Sequence, residues 1–139
     1  MASGYSGTPL VKKLGIKDNF RVRLIHSPEN YFDLLGELPS DVKFLQRKSK
    51  EVDFIHLFAK DIKTFEKSFF KIKEEIKKDG MIWVSWYKKA SKITTDMSED
   101  VIRNTALANG LVDVKVCAVD EKWSGLKIVW RKENRTPSP

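Results

Sequence analysis

Cysteine is nearly absent from this chain. Cys117 is the single thiol in 139 residues, so no internal disulfide can form. The two histidines, His26 and His56, give no metal-ligand spacing with that lone cysteine. No apolar run approaches the roughly 20 residues that cross a bilayer. The opening MASGYSGTPLVKK lacks the apolar stretch of a secretory signal. These absences predict a cytoplasmic protein with no membrane segment. Two phosphate-binding motifs are missing as well, since neither G-x-G-x-x-G nor G-x-x-x-x-G-K-[ST] occurs. SGYSGT (3–8) has glycines and hydroxyls, but no strand precedes it, as a phosphate-cradling loop requires. A flexible arm is expected there instead.

What is present is an ordinary folding composition. Hydrophobic residues make up 41% and charged residues 32%. The length suits one domain that buries enough surface to fold without staples. The net charge is +7, and basic residues are spread along both halves rather than gathered into an arm. Most of that excess is therefore expected to be solvated surface.

The pattern alternates strands with helices. Residues 1–19 carry Gly4, Gly7, Pro9 and Gly15 and read as an extended arm with a short turn or helix at Leu10–Leu14. FRVRLIH (20–26) is a strand. SPENYFDLLGEL (27–38) predicts a helix, with Ser27 as cap and Pro28 in the first turn. VKFL (42–45) is a short strand, and VDFIHLFA (52–59) has the continuous apolar character of a strand covered on both faces. The spacing of Ile62, Phe65, Phe69, Ile72 and Ile76 predicts a helix over 61–80, with Asp61 at its start and Gly80 as its stop. MIWVSW (81–86) is a strand, and SEDVIRNTALANG (98–110) is a helix capped by Ser98. VDVKVCAV (112–119) and LKIVWR (126–131) close the chain as two strands around a DEKWSG loop. KENRTPSP (132–139) reads as a disordered tail. The expected fold is one α/β domain over 20–131 with a mainly parallel sheet. The last two strands are joined too closely for a crossover, so they form an antiparallel hairpin at one edge.

This order resembles a shortened Rossmann-like domain of the class I methyltransferase kind, which also ends in an antiparallel hairpin. IKKDGMIWVSW is similar to the passage leading into the fifth strand of those domains. The link before VDFIHLF has only about six residues, which leaves no room for the helix–strand–helix of a full methyltransferase. The third strand is expected to be missing. GYSGTPLVKKLGIK, DFIHLF, WVSWYKKAS and GLVDVKVCAVDEKWSGLK resemble, in order, a bacterial family known as domain of unknown function 3052. That resemblance implies a bacterial cytosolic α/β protein and carries no activity.

In open parallel sheets ligands bind beyond the carboxyl ends of the strands, here near 26–29, 46–50, 59–61 and 86–92. An S-adenosylmethionine site needs a glycine-rich turn after the first strand and an acid after the second. This chain has IHSPENY and the cationic FLQRKSK at those places. No cofactor is therefore expected. Arg47, Lys48 and Lys50 leave the second strand, and Lys88, Lys89 and Lys92 leave the strand ending at Trp86. Both exits are expected at the same edge, where Ser91 and Thr94 add hydroxyls. Trp86, Tyr87 and Trp123 offer stacking surfaces beside those lysines, and Trp123 is expected to pack down rather than project. His56, inside an apolar strand, reads as a hydrogen-bonded core residue, and Cys117 as a packing residue.

The expected ligand face collects His26, Lys88, Lys89, Ser91, Trp123 and Lys127, with no catalytic or metal-binding set. The leading expectation is a non-enzymatic binding domain for an anionic small molecule or an acidic protein surface. A divergent S-adenosylmethionine-dependent methyltransferase and a nucleic-acid accessory protein are the two alternatives, with nucleic acid not favoured because the charge is unfocused.

Overall fold

The computed structural model describes residues 8–135, so the expectations for 1–7 and 136–139 lie outside the described residues. Six strands form one sheet: β1 (Arg21–Ile25), β2 (Lys43–Leu45), β3 (Val52–Phe58), β4 (Ile76–Tyr87), β5 (Leu111–Ala118) and β6 (Trp123–Trp130). Their order is β2-β1-β3-β4-β6-β5. β2, β1, β3 and β4 run parallel, while β6 is antiparallel to both β4 and β5. This is the expected Rossmann-like sheet with a C-terminal hairpin, and no further strand lies between β2 and β3 among the described residues.

Helices cover the two faces unequally. α3 (Ile62–Glu75) and α4 (Glu99–Ala108) lie on one face. α3 starts where Asp61 accepts the Thr64 amide at 2.8 Å, and it buries Phe65, Phe69 and Ile72 against Ile55, Leu57 and Val84. Each such side chain contributes about 1.5–3 kcal/mol. α4 begins at Ser98, whose hydroxyl accepts the Val101 amide. The opposite face is covered by α1 (Leu10–Leu14) and α2 (Tyr31–Leu35), which enclose Phe54, Phe58 and Trp83.

Several boundaries differ from the sequence expectation. The short helix expected at Leu10–Leu14 is α1, but the segment around it is no free arm: Leu10, Val11 and Leu14 are buried and the Leu14 carbonyl accepts the Trp83 indole N–H at 2.8 Å. The helix expected over 27–38 shrinks to α2, because residues 27–30 are spent on the turn out of β1. The helix expected over 61–80 stops at Glu75. Ile76 is already extended and Lys77 reaches the Asp53 carboxylate at 3.1 Å. Gly80 is therefore no helix stop. It lets the backbones approach, since a Cβ there would stand 3.0 Å from the Asp53 carbonyl. The hairpin turn is shorter than DEKWSG. Asp120 Oδ1 accepts the amides of Lys122 and Trp123, and Trp123 already belongs to β6. Of the segment read as a tail, Lys132–Arg135 form a short helix α5, with Asn134 donating to the Gly110 carbonyl.

The link from β2 to β3 explains the missing strand. Only residues 46–51 return the chain past β1, too few for a helix. Buried Glu75 fixes this link. Its Oε1 accepts the Ser49 amide at 3.1 Å and the Arg23 guanidinium at 2.7 Å.

Candidate functional site

Three depressions mark the carboxyl ends of the parallel strands and the flank of α3. The first is a cleft of about 660 Å³ beyond β1, β3 and β4, closed on one side by the β5–β6 turn. Its volume lies in the range of small-molecule sites. Tyr87 and Trp123 stack in its wall with ring centroids 4.2 Å apart. Trp123 packs edge-on to Phe58 at 5.0 Å and is only 5% exposed, so it plugs the core while its edge lines the cleft. Three carboxylates, Glu29, Asp120 and Glu121, face two lysines, Lys60 and Lys122. The lining is therefore mildly acidic, the opposite of the anion-binding face expected from the sequence.

Beneath this cleft lies a buried polar relay. Tyr31 Oη is 2.7 Å from His56 Nδ1, and His56 Nε2 is 2.6 Å from Ser85 Oγ. All three residues are inaccessible, and the imidazole stacks on Phe58 at 4.2 Å. Either neutral tautomer satisfies both ring nitrogens, so the ring needs no charge. Burial pushes the His56 pKa down to about 3 and raises that of Tyr31 above its ordinary value. A Tyr–His–Ser chain has the composition of a nucleophile relay, but here no solvent reaches it. It is the satisfied core histidine expected from the sequence. Gly125 makes room for it, because a Cβ there would meet Trp83 Cε3 at 3.1 Å and Ser85 Oγ at 3.2 Å.

The second depression, about 460 Å³, lies between the end of β4 and the start of α4, and shares Tyr87 with the first. Lys88 and Lys89 line it opposite Glu99 and Asp100. Ser91 belongs to a single 3₁₀ turn (Lys89–Ser91), and its hydroxyl donates to the Lys88 carbonyl at 2.6 Å, closing that turn. The third is a groove of about 460 Å³ along α3, where His26 sits. His26 follows β1 with φ of 58°, a left-handed conformation uncommon outside glycine.

The six residues expected to share one face are thus divided. Trp123 lines the cleft, Lys88 and Lys89 the depression beside it, and His26 the groove along α3. Ser91 serves its turn. Lys127 lies opposite Trp83 in the β4–β6 register, on the α1 face and down the strand from the cleft. Burial, with Lys115 and Lys17 nearby, lowers its pKa. The two basic exits are also separate, since β1 and β3 stand between β2 and β4. The Arg21 guanidinium donates to the carbonyls of Lys50 and Glu51, which holds the end of that link at the start of β1, away from the carboxyl edge. Sequence reasoning missed Glu29, Asp120 and Glu121 as a group. Only Asp120 left a signal, as the acid opening a tight turn.

No family model matches the chain, and no curated protein does, so the resemblance to domain of unknown function 3052 gains no support. Solved structures do match in fold. The DhpI–SAH complex is similar with a TM-score of 0.59 at 11% identity, over 87% of this chain and 80% of that one. A SAM-dependent methyltransferase from Aquifex aeolicus is similar at 0.57 and 16% identity, over 86% of each chain. A ribosomal protein L11 methylase from Lactobacillus delbrueckii subsp. bulgaricus reaches 0.57 at 10% identity, over 87% of this chain and 74% of that one. The shared property is the methyltransferase-type Rossmann fold.

Proposed function

We propose that this chain is a divergent S-adenosylmethionine-dependent methyltransferase whose cofactor occupies the cleft beyond β1, β3 and β4. The observation that carries this reading is a cleft of about 660 Å³ at the strand ends of a sheet with methyltransferase-like order. The lining fits the group in charge and shape. S-adenosylmethionine carries a sulfonium, and Glu29, Asp120 and Glu121 outnumber Lys60 and Lys122 around the cleft. The stacked Tyr87–Trp123 pair offers an aromatic wall to a cation or a purine. The glycine-rich turn is absent, but His26 gives the exit of β1 a left-handed residue where glycine would serve. No acid follows β2, so Glu29 is the carboxylate assigned to the ribose hydroxyls. The bound cofactor would supply an electrophilic methyl group. The chain's part is to hold the ligand between carboxylates and aromatic rings.

A second reading is binding without transfer, of an anionic small molecule or an acidic partner. The observation favouring it is that Lys88 and Lys89 line the adjoining depression, while no histidine or cysteine lines the cleft. Calorimetric titration with S-adenosylhomocysteine separates the two. The first reading expects binding that weakens about tenfold in Glu29→Ala, from the loss of a charged hydrogen bond. Absence of binding at millimolar ligand, with phosphate binding lost in Lys88→Ala/Lys89→Ala, leaves the second.

A further inference from the structure

The short β2–β3 link has a consequence on the α3 face. α3 and α4 cover β3 through β5 there, while β1 and β2 reach this layer at its margin, through Ile25, Leu45, the Arg23–Glu75 pair and the 46–51 link. The uncovered strip beside α3 is the groove of about 460 Å³. Along it stand Lys63, Lys67 and Lys71, four residues apart and so on one helix face, spanning about 12 Å. All three are exposed. Among the described residues none forms an ion pair, although Glu66 and Glu74 share the helix. Lys63 does feel the field of Asp61 at the helix start. Like charges at this spacing repel, and Glu66 and Glu74, each three residues beyond a lysine of the row, offset that only in part around Lys67. Arg23 lines the opposite wall, its charge met by Glu75, which lines the groove beyond Lys71 with its second oxygen, Oε2, unpartnered among the described residues, and His26 closes the end nearest the carboxyl edge. Arg47, Lys48 and Lys50 are exposed on the link that Ser49 ties to Glu75.

We propose that this groove binds a phosphate ester of about nucleotide size, its phosphate held across Lys63, Lys67 and Lys71. Lysines hold phosphate as mobile point charges, which suits a row of exposed ammonium groups better than one fixed cradle. Ile25 and Ile72 give the groove an apolar floor for the organic part of the ligand. The same chemistry is offered by a free nucleotide and by an RNA backbone. The site is separate from the cleft, and S-adenosylhomocysteine carries no phosphate, so the two proposals fail independently.

The test titrates the full chain at low salt with adenosine 5′-monophosphate and with a short fluorescein-labelled oligouridine. Each probe is repeated on Lys67→Ala/Lys71→Ala and on the charge-matched Lys12→Ala/Lys132→Ala, with circular dichroism confirming folding. The expected result is binding that weakens about tenfold or more in the groove variant and far less in the charge-matched one. Binding of the monophosphate identifies a free phosphate ester as sufficient. Binding of the oligomer alone, falling steeply with salt, identifies the RNA backbone. Equal weakening in both variants, or no binding of either probe at millimolar concentration, overturns the proposal.

Discussion

His56 should make the stability of this protein fall on mild acidification. The ring is inaccessible, and its two nitrogens are met by Tyr31 and Ser85, so the folded state holds it neutral. Its folded pKa, about 3, lies below the ordinary 6.5. The unfolded chain therefore takes up a proton that the folded chain refuses. The resulting stability is fully present above pH 6.5 and is lost as pH falls from there toward 3. Each pH unit in that window costs about 1.4 kcal/mol for one proton, so moving from 6.5 to about pH 5 removes about 2 kcal/mol. This figure holds for any folded pKa well below 5. Carboxylates also titrate at the lower end, so the comparison is with His56→Gln, which keeps an amide where the imidazole was and removes its titration. Urea unfolding of both proteins at the two pH values should give a fall about 2 kcal/mol larger for the native chain. Parallel pH dependence in the two would refute the reasoning. So would an imidazole signal assigned to His56 by its absence from the His56→Gln spectrum and titrating near 6.5 in the folded protein.

Three further outcomes follow from the same packing. Glu75→Ala removes the acceptor for both the Arg23 guanidinium and the Ser49 amide, and urea unfolding should show a loss of about 3 kcal/mol, with weakened protection of residues 46–51 in hydrogen exchange. Gly125→Ala pushes a methyl toward Trp83, Ser85 and Val119, and should cost about 1–3 kcal/mol in the same assay. Trp83→Phe strands the Leu14 carbonyl that now accepts the indole N–H, so α1 should exchange its amides faster and stability should fall by about 1–3 kcal/mol.

The elements of this fold were readable where a single physical signal governed them. Asp61 and Ser98 start α3 and α4 as capping chemistry dictates, and the apolar run of β3 marks a strand buried on both faces. Boundaries failed where tertiary partners outweighed local pattern. Ile76 continues the helical stripe from Ile72, yet it belongs to β4, because Val52 pairs with it and Asp53 draws Lys77 into the extended chain. Trp123 looked like a loop residue because the hairpin turn is shortened by the Asp120 carboxylate, which accepts the Lys122 and Trp123 amides and brings Trp123 into β6. A cleft does lie at the strand ends, where the sequence reading looked for a site, but the residues expected there are not gathered in it. Strand order decides which exits adjoin, and the separation of Arg47 from Lys88 by β1 and β3 leaves no trace in spacing. The acidic lining of the cleft combines the β1 exit with the β5–β6 turn, which lie some 90 residues apart in the chain.

The most direct test of the central claim is an amide chemical-shift titration of the full chain with S-adenosylhomocysteine at low salt. The account predicts shifts clustered at Glu29, Asn30, Lys60, Tyr87 and Trp123, around the cleft. No shifts at millimolar ligand, or shifts confined to the groove residues Lys63, Lys67 and Lys71, would contradict it.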